Sequence, residues 1–476
     1  MKIMYSIKDT NYLKNKRTVL YSIDTNSKIP LHIQLYKDIK EKILSQLRVG
    51  DKLPSIRKLS TQYNLSKTTV ESAYSQLYAE GFIESKPKSG YYVADVLYKN
   101  IRDMHGKTKS QDSQRTYKYD FFPAQLKKED FPLKIWKRCF NKAVNETLDF
   151  GSYGDGRGES GFRDEIASYL TSLRGVKCDS KQIIICSGFS DSMSLVAKLL
   201  KQKFDCFGME EPGYHVARRV FEEYGYKIKK IKVGNEGIQL SSLKTSNTKL
   251  IYITPSHHYP TGVTMPLSKR VKLLEYINNI NGFIIEDDYD SELAYYNRPI
   301  PSLQGIDTND SVIYMGTFAK SLSPALRVSY MVLPKQLLSL YKMSYDAHFP
   351  RVCITTQKTL EFFMKEGHWE RHLRKIRTIN KKKHNLLKEL LKKNLKESFE
   401  IVAEGAGLAI LINPTVAFDW KKFKNLAEKE NIKLYFAKER SGGDFEAIRM
   451  GFGGFSEDEL IEAMETFSSV WHQAII

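Results

Sequence analysis

The sequence predicts a multidomain α/β protein with a small helical module ahead of a large domain built on a mostly parallel sheet. Three observations carry this reading. Residues 30–94 read as helix, helix, helix and hairpin. From Tyr119 onward, apolar strands alternate with helical stretches. Between them, residues 95–118 form a polar, basic linker without apolar periodicity. With 476 residues, 41% of them hydrophobic, the chain can supply a sizeable core. Its length suits about two to three domains.

Residues 1–28 are a polar, irregular extension. In the first helix, Leu31, Ile33, Leu35, Ile39, Ile43 and Leu47 recur with partial 3.6-residue spacing. Val49-Gly50-Asp51 breaks it. Ser55 then caps a short helix through Tyr63, and Ser66 caps the next, over Lys67–Ala79, which stops at Glu80-Gly81. Phe82-Ile83-Glu84 and Gly90-Tyr91-Tyr92-Val93 flank the turn Lys86-Pro87-Lys88-Ser89, giving a β-wing. The module spans 29–94 and the large domain 119–476. In the large domain Gln182–Cys186, Lys249–Thr254, Phe283–Glu286 and Val312–Met315 read as buried strands. From about Tyr341 the pattern is helical, then α+β.

The net charge of +19 points to a polyanionic partner, and a Lys-rich proteome is the competing explanation. Five cysteines, odd in number and without a CxxC pair, fit a reduced cytoplasmic chain with no structural metal. Residues 1–14 lack the apolar core of a signal peptide, and no apolar run approaches a membrane span.

A winged helix-turn-helix lays its second helix in the major groove of double-stranded DNA. That helix begins Ser66-Lys67-Thr68-Thr69, where small hydroxyls and one cation suit phosphates and base edges. Ser55 and Arg57 lie on the preceding helix, and Lys86 and Lys88 lie in the wing. Between Ile29 and Ala94, ten Lys/Arg stand against six Asp/Glu. Leu53-Pro54-Ser55-Ile56-Arg57-Lys58-Leu59, Leu65-Ser66-Lys67-Thr68-Thr69-Val70, Glu80-Gly81 and Gly90-Tyr91-Tyr92-Val93 resemble the GntR-type winged helix. The resemblance implies DNA contacts at Arg57, Lys67, Thr68 and Thr69. Lys67 stands where arginine is usual, which removes a bidentate guanine contact.

In the large domain, Gly316-Thr317-Phe318-Ala319-Lys320 ends in a lysine flanked by small residues, with Arg327 seven positions on. The strand from Phe283 runs into Glu286-Asp287-Asp288-Tyr289-Asp290. Acids at the carboxyl end of a parallel strand face the ligand crevice. Gln182–Cys186 ends at Ser187-Gly188-Phe189-Ser190, a strand-to-helix turn able to offer N–H groups to a phosphate. Glu211-Pro212-Gly213-Tyr214 adds an aromatic. Pyridoxal 5′-phosphate needs this set: a lysine, a carboxylate for the ring nitrogen, a stacking ring, and a phosphate cradle.

These stretches, with Thr254-Pro255-Ser256-His257 and Pro260-Thr261-Gly262, resemble the PLP-dependent transferases of fold type I, class I/II aminotransferases, which carry a small C-terminal α+β subdomain. The whole chain resembles the MocR/GabR family, in which such a domain follows a GntR winged helix. The resemblance implies a Schiff base at Lys320, Asp287 at the pyridine nitrogen, Tyr289 at the ring oxygen and Tyr214 stacked on the ring. Gly188, Phe189, Ser190, Thr317 and Arg327 would hold the phosphate. Two positions depart from the aminotransferase pattern: Ala319 replaces a serine, and Tyr259 replaces an asparagine that normally meets the ring oxygen. An effector carboxylate needs an arginine. Arg449 has the aminotransferase position, and the GabR-like pattern favours Arg440.

The expectation is a PLP-dependent transcriptional regulator that senses a small amino compound through external aldimine formation. The resemblance also implies a head-to-tail homodimer on promoter half-sites. GABA, PLP itself, a D-amino acid and taurine all suit such a site as effectors. The rival readings are a working aminotransferase with an accessory DNA-binding domain, and a DNA-binding protein with a vestigial pocket. The cation-rich stretch Arg371–Lys393 reads first as a solvated amphipathic helix and second as a DNA-facing surface.

Overall fold

The structure is a computed structural model. It describes residues 21–25, 27, 29–87, 89–95, 117–146, 149, 151–296, 300–345, 348–438 and 446–476. Lys88 and Arg440, two of the expected site residues, lie outside the described residues. Contacts divide the chain into two units, 1–114 and 115–476.

In the first unit, α1 (Leu31–Ser45), α2 (Ile56–Tyr63) and α3 (Lys67–Ala79) precede β1 (Ile83–Lys86) and β2 (Gly90–Val93). The strands pair antiparallel from Ile83↔Val93 to Lys86↔Gly90. Leu35 and Ile39 of α1, Leu59 of α2, and Val70, Ala73, Tyr74 and Leu77 of α3 make one core. Each buried Leu, Ile or Val among them stabilises by about 1.5–3 kcal/mol relative to exposure. The Ser55 hydroxyl accepts the Lys58 N–H at 3.2 Å, and the Ser66 hydroxyl accepts the Thr69 N–H at 3.0 Å. Asn64 takes a left-handed conformation, φ 53°, to close α2. Buried Tyr74 donates from its hydroxyl to the Pro54 carbonyl at 2.8 Å, tying α3 to the loop before α2.

The strands of the second unit are β3 (Tyr119–Asp120), β4 (Ile183–Cys186), β5 (Cys206–Glu211), β6 (Lys227–Gly234), β7 (Gly237–Ile238), β8 (Leu250–Ile253), β9 (Phe283–Asp287), β10 (Val312–Thr317), β11 (Ser329–Val332), β12 (Phe399–Ala403), β13 (Ala409–Pro414), β14 (Ile432–Lys433), β15 (Phe436–Lys438) and β16 (Glu446–Gly451). The helices are α4 (Leu133–Glu146), α5 (Ser160–Arg174), α6 (Phe189–Leu200), α7 (His215–Glu223), α8 (Leu240–Ser246), α9 (Leu267–Asn279), α10 (Leu303–Ile306), α11 (Lys335–Tyr345), α12 (Ile354–Lys365), α13 (His368–Leu395), α14 (Trp420–Lys429) and α15 (Glu457–Ala474).

An eight-stranded sheet runs in the order β4-β11-β10-β9-β8-β5-β6-β7. Pairing is parallel from β10 through β9, β8 and β5 to β6; β11 and β7 pair antiparallel with their neighbours. Separate apolar clusters form around this sheet, which accounts for its uniformly apolar inner strands. A second, antiparallel sheet runs β12-β13-β16-β15. It shares a core with α13, α14 and α15, around Trp471, Phe423, Phe467 and Ile410. Tyr119 and Phe121 also enter that core, and β3 pairs in parallel with β14. The C-terminal α+β subdomain thus includes the start of the unit, a pairing across some three hundred residues that local patterns do not report.

Ser66→Ala should destabilise the first unit by about 1 kcal/mol through loss of the α3 cap. Denaturant unfolding of the full chain measures it. An unchanged midpoint would mean that the hydroxyl does not cap α3 in solution.

Candidate functional site

The carboxyl ends of β4, β5, β9 and β10 lead into most of the expected cofactor residues. Strand β9 delivers three consecutive buried acids, and each meets a different fate. The Glu286 carboxylate accepts the N–H groups of Leu303 and Gln304 at 2.8 and 3.0 Å, at the start of α10. Asp288 pairs with buried Arg174 at 2.7 Å and accepts the Tyr314 hydroxyl at 2.7 Å. Asp287, between them, accepts the Tyr252 hydroxyl at 2.6 Å and no other hydrogen bond among the described residues. Burial pushes its carboxyl up to about 7, while the Tyr252 hydrogen bond opposes the shift. No cation hydrogen-bonds to Asp287 among the described residues.

Parallel pairing sets Met315 of β10 against Asp287, and the chain reaches Lys320 just beyond that strand. The Lys320 ammonium lies 5.8 Å from the Tyr289 ring centre and donates to the Pro123 carbonyl at 3.4 Å. Burial lowers its pKa to about 8; Asp290 opposes this, Arg449 adds to it, and Asp287 opposes it. A lysine made less basic by desolvation is a better nucleophile near neutrality. Tyr289 donates its hydroxyl to the His257 carbonyl at 3.1 Å, and His257 Nδ1 meets Asp290 at 2.7 Å.

Helix α6 starts after Gly188, which has φ +84°. A Cβ at Gly188 would lie 2.3 Å from Nη2 of Arg327. Only glycine lets that guanidinium reach the helix N-terminus, and together they form an anion cradle. Arg327 itself holds a left-handed φ of 52°. Phe189 packs edge-on against Tyr214, with ring centres 5.0 Å apart. Tyr214 packs in the same way on Tyr259, at 5.1 Å. Burial raises the Tyr214 hydroxyl, and the charges of Asp287, Arg449 and Arg327 act on it as well. Arg449, on β16, lays its guanidinium 4.5 Å from the Tyr259 ring centre and donates to the Tyr259 hydroxyl at 2.9 Å. Its Nε is buried without a hydrogen-bond partner. The Nε edge therefore awaits an acceptor.

Not every expected residue converges. The Thr317 hydroxyl serves its own loop, accepting the Ala319 N–H at 3.1 Å and donating to the Val328 carbonyl at 3.3 Å. Ser190 is exposed in the first turn of α6. In the first unit Arg57, Lys67, Thr68 and Lys86 are exposed, and Thr69 is half-buried. Ser66 also hydrogen-bonds with the hydroxyls of Thr68 and Thr69, at 2.8 and 2.7 Å. Lys86 pairs with Glu84 at 3.2 Å. Sequence reasoning missed Tyr252, hidden inside an apolar strand, as well as the His257–Asp290 pair. Cys139, Glu366 and His368 bring possible metal ligands within 4.8 Å of one another. Arg138 and Arg371 already face the two His368 ring nitrogens, and Lys142 pairs with Glu366, so cations fill that cluster.

The site tests well against pyridoxal phosphate. The cradle at Gly188 and Arg327 suits an anion, and Asp287, without a hydrogen-bonded cation among the described residues, suits a protonated ring nitrogen.

Residues 122–466 match the family described as aminotransferase class I and II, and residues 31–93 match the bacterial regulatory proteins of the gntR family. The chain is 36% identical over 461 residues to the uncharacterized HTH-type transcriptional regulator YdeL of Bacillus subtilis, covering 93% of this chain and 97% of that one. It is 31% identical over 432 residues to the probable rhizopine catabolism regulatory protein MocR of Rhizobium meliloti, covering 87% of each. In fold, it is similar to the kynurenine aminotransferase of Pyrococcus horikoshii, solved with PMP. The TM-score is 0.67 at 23% identity, over 76% of this chain and 92% of that one. No helix among the described residues is long and apolar enough to cross a membrane.

Two outcomes are expected. In protein stripped of cofactor, modification of Lys320 by an amine-reactive reagent, followed by mass spectrometry, should reach half its limiting rate near pH 8. An ordinary lysine would do so near about 10.4. Gly188→Ala should displace Arg327 and weaken pyridoxal phosphate binding at least ~10-fold, the scale of one lost charge-assisted hydrogen bond. Equilibrium dialysis reads that change.

Proposed function

The chain belongs to the MocR/GabR-type transcriptional regulators, in which a GntR winged helix and an aminotransferase class I and II domain share one polypeptide, and from that premise we propose that it is a PLP-dependent regulator responding to an amino compound that carries a carboxylate. The observation that carries this reading is the convergence of Lys320, Asp287 and Arg449 beside the Gly188–Arg327 cradle. When bound, pyridoxal phosphate supplies an electrophilic carbonyl on an electron-withdrawing ring.

In this reading Arg327 and the N-terminus of α6 bind the phosphate, and Tyr214 covers the ring. Asp287, as a carboxylate, would accept a hydrogen bond from the protonated ring nitrogen, and the positive ring would supply the partner that its buried charge lacks. Lys320 supplies the resident amine. With the cofactor bound, the effector's amine would take the place of the Lys320 amine, and its carboxylate would meet the Nε of Arg449, which is buried without a hydrogen-bond partner among the described residues. Tyr259 holds the opposite edge of that guanidinium and fixes its orientation. Arg440 remains the second candidate for the carboxylate.

A ligand can move the DNA-binding equilibrium only by binding two arrangements of the protein with different affinity. Release of Lys320 and capture of Arg449 supply such a difference. The winged helices read double-stranded DNA as a homodimer, with Arg57, Lys67, Thr68 and Thr69 at the duplex.

Visible absorption of wild type and Lys320→Ala, with pyridoxal phosphate and a panel of amino acids and amines, tests the proposal. Wild type should be yellow and change with one carboxylated amine, without keto-acid release; Lys320→Ala should lack the wild-type band. Steady keto-acid formation would instead make the protein an aminotransferase. Identical, amine-insensitive spectra for the two proteins would remove the cofactor from its function.

A further inference from the structure

An acid, Asp191, stands in the first turn of α6, the helix whose N-terminus meets Arg327. With Gly188 at the cap position, Phe189, Ser190 and Asp191 are the first three helical residues. From there the Asp191 carboxylate reaches back and accepts the Ser187 N–H at 2.8 Å. This is the acid half of a capping box, in which a side chain in the first turn satisfies a donor ahead of the helix. It orders the turn at Ser187-Gly188, and a negative charge there is favourable to the helix itself.

The same charge works against an anion cradle. A phosphate monoester carries about −1.5 to −2 charges at neutral pH. Arg327 brings one positive charge to the start of α6 and Asp191 brings one negative charge, so these two side chains cancel. The N–H groups of a helix terminus supply only roughly half a charge. A half-buried carboxylate within one turn of the cradle repels a phosphate, and solvent screens that repulsion incompletely.

Arg351 removes the conflict. Its Nη1 meets Asp191 Oδ1 at 2.5 Å, while Ser187 holds the other oxygen, so both carboxylate oxygens are taken. Side-chain exposures of 20% for Arg351 and 23% for Asp191 place the pair mostly out of solvent. The arginine comes from the segment just before α12, 160 residues away in sequence. That segment is fixed by its own packing. A Cβ at Gly156 would lie 2.3 Å from the His348 carbonyl oxygen, and Gln357 Nε2 donates to the Val352 carbonyl at 2.8 Å. The guanidinium also lies 5.3 Å from the Tyr345 ring centre. With Arg351 counted, the start of α6 regains a net positive charge.

We propose that Arg351 is a positioning residue for the cofactor's phosphate: by pairing with Asp191 it lets that acid cap α6 without opposing the anion held at Gly188 and Arg327. It acts through Asp191 and needs no contact with the phosphate. A guanidinium suits this task, because it is always charged, weakly hydrated and therefore tolerant of a half-buried ion pair. The inference rests on the cofactor reading. An ion pair that served folding alone would be indifferent to whether the bound molecule carries a phosphate, and the test reads that difference.

The full chain, stripped of cofactor, is titrated by equilibrium dialysis with pyridoxal phosphate and with pyridoxal, which lacks only the phosphate. Arg351→Gln should weaken pyridoxal phosphate about 10-fold, the scale of one uncompensated, partly screened charge near the anion, and change pyridoxal by less than about 2-fold. Asp191→Asn removes the charge but keeps an oxygen for the Ser187 N–H, so alone it should not weaken pyridoxal phosphate. Added to Arg351→Gln, it should bring the affinity back to within about 3-fold of wild type, because the two residues are coupled. Equal weakening in Arg351→Gln and in the double variant would mean that Arg351 does not act through the Asp191 charge, and would overturn the proposal. Parallel loss of both aldehydes would reduce the pair to a folding contact and overturn it too, as would pyridoxal phosphate binding unchanged by Arg351→Gln. A wild type that binds neither aldehyde would instead remove the cofactor reading itself, and this inference with it.

Discussion

Burial of three successive carboxylates at the end of β9 is the constraint on which the large domain turns. An isolated buried charge is prohibitive, so each acid must be matched or neutralised. Asp288 is matched by Arg174, which also donates to Ser256 at 3.1 Å and so joins α5 to the loop after β8. Glu286 is matched by the N–H groups that open α10. Removing one partner of such a buried pair typically costs about 3–5 kcal/mol. These two acids lock the neighbours of β9 in place. Asp287 has a single phenol as its hydrogen-bond partner among the described residues, and burial holds its carboxyl up near 7 despite the nearby Lys320.

The same logic explains Lys320 and Arg449. Both are cations brought into low-dielectric surroundings without a full set of partners. Each is compensated in part, Lys320 by the nearby Asp290 and Asp287, Arg449 by the face and hydroxyl of Tyr259. Under-compensated charges of opposite sign across one crevice cost stability, as ligand-binding crevices commonly do. Tyr259 gives Arg449 both a hydroxyl acceptor and an aromatic face.

The chain's basicity is uneven. The winged module, whose fold reads DNA in other GntR-type proteins, is only modestly cationic, while α13 holds a dense row.

The sequence by itself determined the two-part architecture, because both parts announce themselves locally. Ser55 and Ser66 stand at helix starts, Gly81 ends α3, and period-two and period-3.6 patterns separate strands from helices. It also marked Lys320, Asp287, Gly188 and Arg327, since a strand that runs into charge or glycine is a visible break in hydropathy. Only the tertiary structure decided the partners. Tyr252 looks like any core tyrosine until parallel pairing sets β8 beside β9 and its hydroxyl reaches Asp287. Arg449 meets Tyr259 across 190 residues, and Tyr119 pairs near Ile432, through long-range packing that no local period encodes. The division of labour among Glu286, Asp287 and Asp288 was illegible for the same reason: adjacent acids look alike in sequence, and only burial against different neighbours makes two structural and leaves one free.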